Sequence, residues 1–207
     1  MKKRKKSVIK KNEKDNKENF FKRNYKESFI FLKESWIYFL VIASLLVVFA
    51  LIGYFFPIFF VEQIKQMITN LVQETRGLSG PQLIGFIFLN NIKTSAIGLF
   101  SGIVFGLFPL ITIVVNGYVL GFVASYAVKE GGIFVLWKLL PHGIFEIPAV
   151  VISLGVGLRL GMYLFTRDRK KKFFGFFVNC LRILFFVVLP LLIIAAIIEG
   201  SLIFLMK

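Results

Sequence analysis

Hydrophobic positions along the chain come in long unbroken runs rather than in alternation. The first, "WIYFLVIASLLVVFALIGYFFPIFF", occupies 36–60. Further runs lie near 83–107, 110–127, 141–165 and 180–204. Each is about the 20 residues that a helix needs to cross a bilayer, whereas strands would show a period of two. The pattern predicts an all-α, polytopic membrane protein with about five transmembrane helices. The second and third runs are separated by almost nothing around Pro109. The "KKKFFGFFVNCLR" stretch reads as an aromatic, basic lead-in to the fifth run.

Ahead of the first run the pattern changes twice. Residues 1–18, "MKKRKKSVIKKNEKDNKE", show no periodicity and are expected to be disordered. From Phe20, the residues Phe21, Tyr25, Phe29, Leu32 and Trp36 recur every three or four positions, with Lys22, Arg23, Lys26 and Lys33 between them. That spacing predicts an amphipathic helix lying on the inner membrane surface. The chain thus divides into a basic cytoplasmic arm with an interfacial helix, 1–35, and a membrane helical domain, 36–207. The first run lacks a small-residue cleavage site and is expected to be a retained anchor rather than a signal peptide.

Composition agrees: 57% of the 207 residues are hydrophobic, more than a water-soluble domain of this size can bury. The net charge of +15 is uneven, with +8 in residues 1–34 and +4 in "TRDRKKK" at 166–172. Basic segments flank membrane spans on the cytoplasmic side. An odd number of spans puts both basic segments inside and leaves 61–82 and 128–140 outside. The amino terminus is then cytoplasmic and the carboxyl terminus extracytoplasmic. Charge placed this way addresses the anionic lipids of the inner leaflet, and nucleic acid is not the expected partner.

Three runs carry small residues every four positions. These are Gly98, Gly102 and Gly106; Gly117, Gly121 and Ser125; and Ala149, Ser153, Gly157 and Gly161. Lipid tails are as apolar as leucine, so helices in a bilayer associate by close backbone packing along such stripes. The stripes predict a tightly packed trio of the second, third and fourth spans, or alternatively a homo-oligomer seam.

Polar residues inside the runs cluster at one level. Asn90, Asn91 and Lys93 lie on the second span, His142 and Glu146 open the fourth, and Glu199 lies near the end of the fifth. Lys93 sits about 15 Å into its run at ~1.5 Å per residue. A charge at mid-membrane costs about 2.5–3.5 kcal/mol on insertion scales, so pairing is favoured. The expectation is a buried network of Asn90, Asn91, Lys93, His142, Glu146 and Glu199, serving either helix register or a ligand, ion or partner site. Asn116 and Arg159 fall in the inner half. Asn116 is expected to bridge helices, and Arg159 to reach inner-leaflet phosphate or cap helix carbonyls.

Recognisable catalytic chemistry is sparse. The one histidine excludes an HExxH zinc site, so no metal and no cofactor is expected. The tetrapeptide "GLSG" at 77–80 resembles an intramembrane serine-protease motif. Pro81 places Ser79 in a turn, however, where a nucleophile would lack a dry, preorganised site. No phosphate-binding glycine loop is present. The lone Cys180 allows no internal disulfide.

The segments "NNIKTSAIGLFSGIVFGLFPLITIVVNGYVLG" (90–121), "PHGIFEIPAVVISLGVGLRLG" (141–161) and "AAIIEG" (195–200) resemble the stage II sporulation protein M family. The resemblance covers nearly all of 36–205. It implies a multi-pass membrane protein without catalysis of its own. In endospore formers the family's namesake is a scaffold for two peptidoglycan-degrading partners during engulfment. The family pattern touches Asn90, Asn91, Asn116, Gly117, His142, Gly143, Glu146, Arg159 and Glu199. The reading is therefore a non-catalytic scaffold that recruits membrane or extracytoplasmic proteins, cell-wall hydrolases being the implied kind. The alternative is a transporter or channel subunit for a small solute or ion, using the Lys/Glu/His network.

Overall fold

The computed structural model describes residues 20–104, 106–163 and 169–205; side chains at 137–142 and 169–172 also fall outside what is described. Among the described residues there is no strand. The elements are α1 (20–34), α2 (Trp36–Phe55), α3 (Val61–Thr75), α4 (Gly80–Phe100), α5 (Leu107–Gly131), α6 (Leu136–Tyr163), α7 (Arg169–Ile183) and α8 (Leu189–Leu205). A 3₁₀ turn, Ser101–Ile103, extends α4, another, Ile133–Val135, leads into α6, and a π-helical segment, Leu184–Val188, joins α7 to α8. Five stretches are long and apolar enough to cross a membrane: Trp36–Phe55, Gly80–Ile103, Leu107–Gly131, Gly143–Tyr163 and Phe173–Leu205. The protein is a multi-pass, all-α membrane protein. Residues 1–19, with most of the basic arm, and 164–168, with the start of the second basic segment, lie outside the described residues.

Spans two and five begin earlier than the hydrophobic runs indicate. α4 starts at Gly80 because Ser79 precedes it as a cap: the Gln82 side-chain carbonyl accepts from the Ser79 amide at 3.0 Å and from the Ser79 hydroxyl at 2.9 Å. The polar residues of the "GLSG" turn thus serve a helix start. The lead-in to span five is itself helical. The apolar stretch Phe173–Leu205 has 33 residues, about 50 Å at ~1.5 Å each, against a hydrocarbon core of about 30 Å. The first part of that stretch is α7, which runs beside α1.

α6 is the hub. Of its apolar stretch 44% of the residues are buried, against 17% for α2. Close approach at glycines sets the packing. A methyl group on Gly102 would land on the Gly157 carbonyl, one on Gly157 on the Gly98 carbonyl, and one on Gly161 on the Gly106 amide. Those contacts join α4, its 3₁₀ extension and the turn that follows to α6 with their backbones touching. Gly200 brings α8 equally close to Ile84 of α4.

The stripe on α5 behaves differently from expectation. Gly117 and Gly121 face the carbonyls of Leu46 and Ala50 on α2, and Gly53 of α2 returns the contact to the Tyr118 carbonyl. α2 and α5 form the most extensive helix pair, whereas α4 and α5 touch little despite being consecutive. The expected trio is thus two sets, α4–α6–α8 and α2–α5, with α6 between them. The cause lies on α2: its small residues Ala50 and Gly53 offer a smooth surface that the spacing of the other three stripes does not reveal. Gly106, at φ +71°, makes the tight turn from α4 into α5 where a side chain would be strained.

The described chain ends at opposite ends of the bundle. Phe204 packs on Gly80 at the α3 end, while α1 lies against α6 and α7 at the other.

Candidate functional site

Polar side chains gather in two regions. At the α1 end two arginines do most of the work. Arg159 of α6 donates from Nη1 to the Phe31 carbonyl at 3.1 Å and to Ser35 Oγ at 2.6 Å, and from Nη2 to Glu34 at 3.1 Å. Its guanidinium lies 4.3 Å from the centre of the Phe31 ring and 5.4 Å from that of Phe176. Arg182 pairs with Glu27 at 2.5 Å, donates from Nε to Asn24 at 2.7 Å, and also bonds Asn179. Asn24 in turn donates to the Phe20 carbonyl at 2.8 Å.

α1 is therefore fastened along α7, antiparallel to it, with Phe31 by Phe176, Asn24 by Arg182, and Tyr25 by Phe186 at 5.4 Å. Phe186 belongs to the π-helical segment, whose extra residue per turn redirects the side chains before α8 begins. The face of α1 turned to the protein is Asn24, Ser28, Phe31 and Ser35, all buried. Phe21 and Tyr25, which meet Phe186 along one edge, and Phe29 and Trp36 are all more than half exposed, with Lys22, Arg23, Lys26 and Lys33 beside them. Leu32 is half-buried against the core. Hydrophobic periodicity identifies the aromatic face and passes over the polar one. The signal for the latter is the spacing of four, three and four among Asn24, Ser28, Phe31 and Ser35. Arg182, just ahead of an apolar run, is the second signal.

The other region is at the α3 end. α3 turns Ile64 and Ile68 towards Tyr118 and Phe122 of α5 and exposes Gln63, Gln66, Asn70 and Glu74. Tyr118 holds the entry to α3: its hydroxyl accepts the Phe59 amide at 2.9 Å and lies 3.0 Å and 3.2 Å from the Phe56 and Phe59 carbonyls. Phe60, with φ 54°, adopts the left-handed region that side chains avoid, so the entry carries local strain. An apolar cavity of about 500 Å³ opens between α2, α3 and α5, lined by Phe49, Ile52, Phe60, Met67, Val115 and Tyr118. A second cavity, about 570 Å³ and more polar, lies between α3 and α4, lined by Gln63, Gln66, Met67, Asn70, Glu74 and Asn90.

Of the residues expected to form one buried network, the three on α4 divide between two of its faces. Asn91 is half-buried and lies on the stripe with buried Ser95 and Gly98. Since Gly98 meets Leu154 of α6, Asn91 and half-buried Glu146 stand at nearly the same level, seven and eight residues earlier in parallel helices. Asn90 and Lys93 face the other way and are exposed. Glu199 is half-buried on α8, about 9 Å nearer the α3 end than Asn91 by helix rise, since Gly200 stands at Ile84. Among the described residues no ion pair joins Lys93 to Glu146 or Glu199; the ion pairs there are Lys65–Glu62, Arg159–Glu34 and Arg182–Glu27. The side chain of His142 lies outside the described residues. Asn116 is exposed on α5 and makes no side-chain hydrogen bond among the described residues. Gly117 beside it makes the close contact to α2. Among the described residues no cluster of three metal-ligating side chains occurs.

The profile of "Stage II sporulation protein M" matches residues 41–202. The chain belongs to the stage II sporulation protein M family. The match runs from α2 into α8, so it takes in the α3 end and the two arginines, Arg159 and Arg182, but not α1 with their partners. Two relatives are uncharacterized proteins of Methanocaldococcus jannaschii. MJ0706 is 31% identical over 124 residues, 57% of this chain and 54% of that protein. MJ0793 is 34% identical over 90 residues, 42% of this chain and 51% of that protein. The chain spans about half the length of these curated relatives. No solved structure matches.

Proposed function

We propose that the chain is a non-catalytic membrane scaffold that recruits or organises partner proteins, with its amino terminus in the cytoplasm and its carboxyl terminus outside. The observation that carries this reading is the division of labour in the bundle. Between α4, α6 and α8 the helices meet backbone to backbone at Gly98, Gly102, Gly157, Gly161 and Gly200. The exposed polar groups Gln63, Gln66, Asn70, Glu74, Asn90 and Lys93 lie on one flank instead. A rigid core with an adhesive side suits holding another protein better than moving a solute. Family membership supports it too, since the resemblance implies a scaffold for cell-wall hydrolases.

On this reading the arginine-fastened α1 presents Lys22, Arg23, Lys26 and Lys33 with exposed aromatics to the anionic inner leaflet. Basic residues near such a surface contribute about 1 kcal/mol each. Capture of the full chain from its own membrane in mild detergent tests the scaffold reading. A partner recovered at fixed stoichiometry is the expected result. Solute flux through liposomes holding this chain alone would favour the transporter instead.

A further inference from the structure

α4 crosses the bilayer with two unlike long faces. One carries Leu83, Ile87, Ser95, Gly98 and Leu99, all buried. The other carries Leu89, Asn90, Lys93, Thr94 and Ile97, all exposed. Lys93 lies near the middle of the 24-residue stretch Gly80–Ile103. That puts it about 20 Å from one end and about 15 Å from the other. Both distances exceed the reach of a lysine side chain, so extension alone does not bring its ammonium to a headgroup layer.

One turn to either side of Lys93, Leu89 and Ile97 are 64% and 58% exposed, as residues facing hydrocarbon would be. Thr94 is satisfied within the helix, donating to the Asn90 carbonyl at 2.9 Å. The Asn90 side chain edges the polar cavity shared with α3. α5, which follows α4 in the chain, packs away on α2 and leaves this flank uncovered. Lys93 is in no ion pair among the described residues.

We propose that this flank receives a transmembrane helix of another protein carrying an Asp or Glu near the middle of its span. The carboxylate pairs with Lys93, and a neighbouring polar group of the incoming helix bonds Asn90. The proposal rests on the scaffold reading and gives the recruited partner its chemistry. Charge complementarity selects the occupant: a cation set among lipid tails is stabilised by a carboxylate delivered on a helix. Lipid phosphate lies a half-bilayer away. A second copy docking by the same face about a two-fold axis would set Lys93 against Lys93, a repulsive arrangement.

The test reconstitutes the full chain in zwitterionic liposomes with synthetic leucine-rich helices of about 20 residues bearing one central Glu, Gln or Lys. Association is read by energy transfer between labels on the chain and on the helix. The wild-type chain is expected to hold the Glu helix about tenfold more tightly than the Gln helix. Lys93→Met removes that preference, Lys93→Arg keeps it, and Lys93→Glu transfers it to the Lys helix. Thermal unfolding in detergent verifies that the variants fold. Equal binding of the Glu and Gln helices by wild type, or a preference that survives Lys93→Met, would overturn the proposal. So would self-association of the wild-type chain that depends on Lys93, which assigns the flank to a second copy. If a native partner copurifies equally with wild type and Lys93→Met, the scaffold reading stands and this docking flank falls. If the Glu helix binds as expected but no native partner exists, the flank stands and the scaffold reading falls.

Discussion

Arg159 joins more elements than any other polar residue described. It sits on α6, bonds the Phe31 carbonyl and Ser35 at the α1–α2 junction, and stacks over rings of α1 and α7. The carboxylate of Glu34 is 58% exposed, so that ion pair is screened and contributes about 1 kcal/mol or less. The contacts to Ser35, to the carbonyl and to the two rings are sheltered. Losing them together costs about 2–4 kcal/mol. Arg159→Ala is therefore expected to lower the unfolding temperature clearly in detergent, while Glu34→Gln barely moves it. Equal effects of the two variants would show that the exposed ion pair, and not the sheltered contacts, carries the junction.

Among elements, the contacts at glycine make the sharpest contrast. A methyl group at Gly102 or Gly121 would meet the backbone of the facing helix, which has no soft side chain to yield. Gly102→Ala and Gly121→Ala are each expected to destabilise by about 1–3 kcal/mol or more. Gly85, on the same span as Gly102, has open space where a methyl would stand, so Gly85→Ala should be neutral or stabilising by about 0.5–1 kcal/mol. Thermal unfolding of the three variants in one detergent checks the order.

The same elements mark how far the sequence could be read. Five spans were legible because unbroken apolar runs have one solution in a bilayer. Close packing of α4 on α6 was legible from spacing by four. The partner of the α5 stripe was not, because a small-residue stripe states that a neighbour comes close without stating which one. The inward face of α1 was hidden for a related reason: periodicity detects apolar faces, and this one is built of Asn24, Ser28 and Ser35 around a single Phe31. Asn90, Asn91 and Lys93 were legible as polar residues at one depth. Their division between two faces of α4 depends on where Ser79 and Gln82 start the helix and on how it rotates against α6, which composition does not encode.

At the scale of the whole molecule, the two polar regions stand at opposite ends of the bundle, the arginine-fastened α1 at one and α3 with its cavities at the other. On the proposed orientation α3 faces outward. Cys180 is the only cysteine of the chain and is buried, so single cysteines can be introduced after Cys180→Ala. In intact cells, a membrane-impermeant maleimide should label Glu74→Cys and leave Lys26→Cys unlabelled until the membrane is opened. The reverse pattern would invert the molecule and move the recruiting face inside.

The central claim is that this bundle exists to hold another protein. The mass of the native particle tests it most directly, measured after gentle extraction of the full chain from its own membrane. The account predicts a discrete complex whose protein mass is not a whole-number multiple of the 23.7 kDa chain, with a second protein at fixed ratio. A particle made of this chain and lipid alone would contradict it.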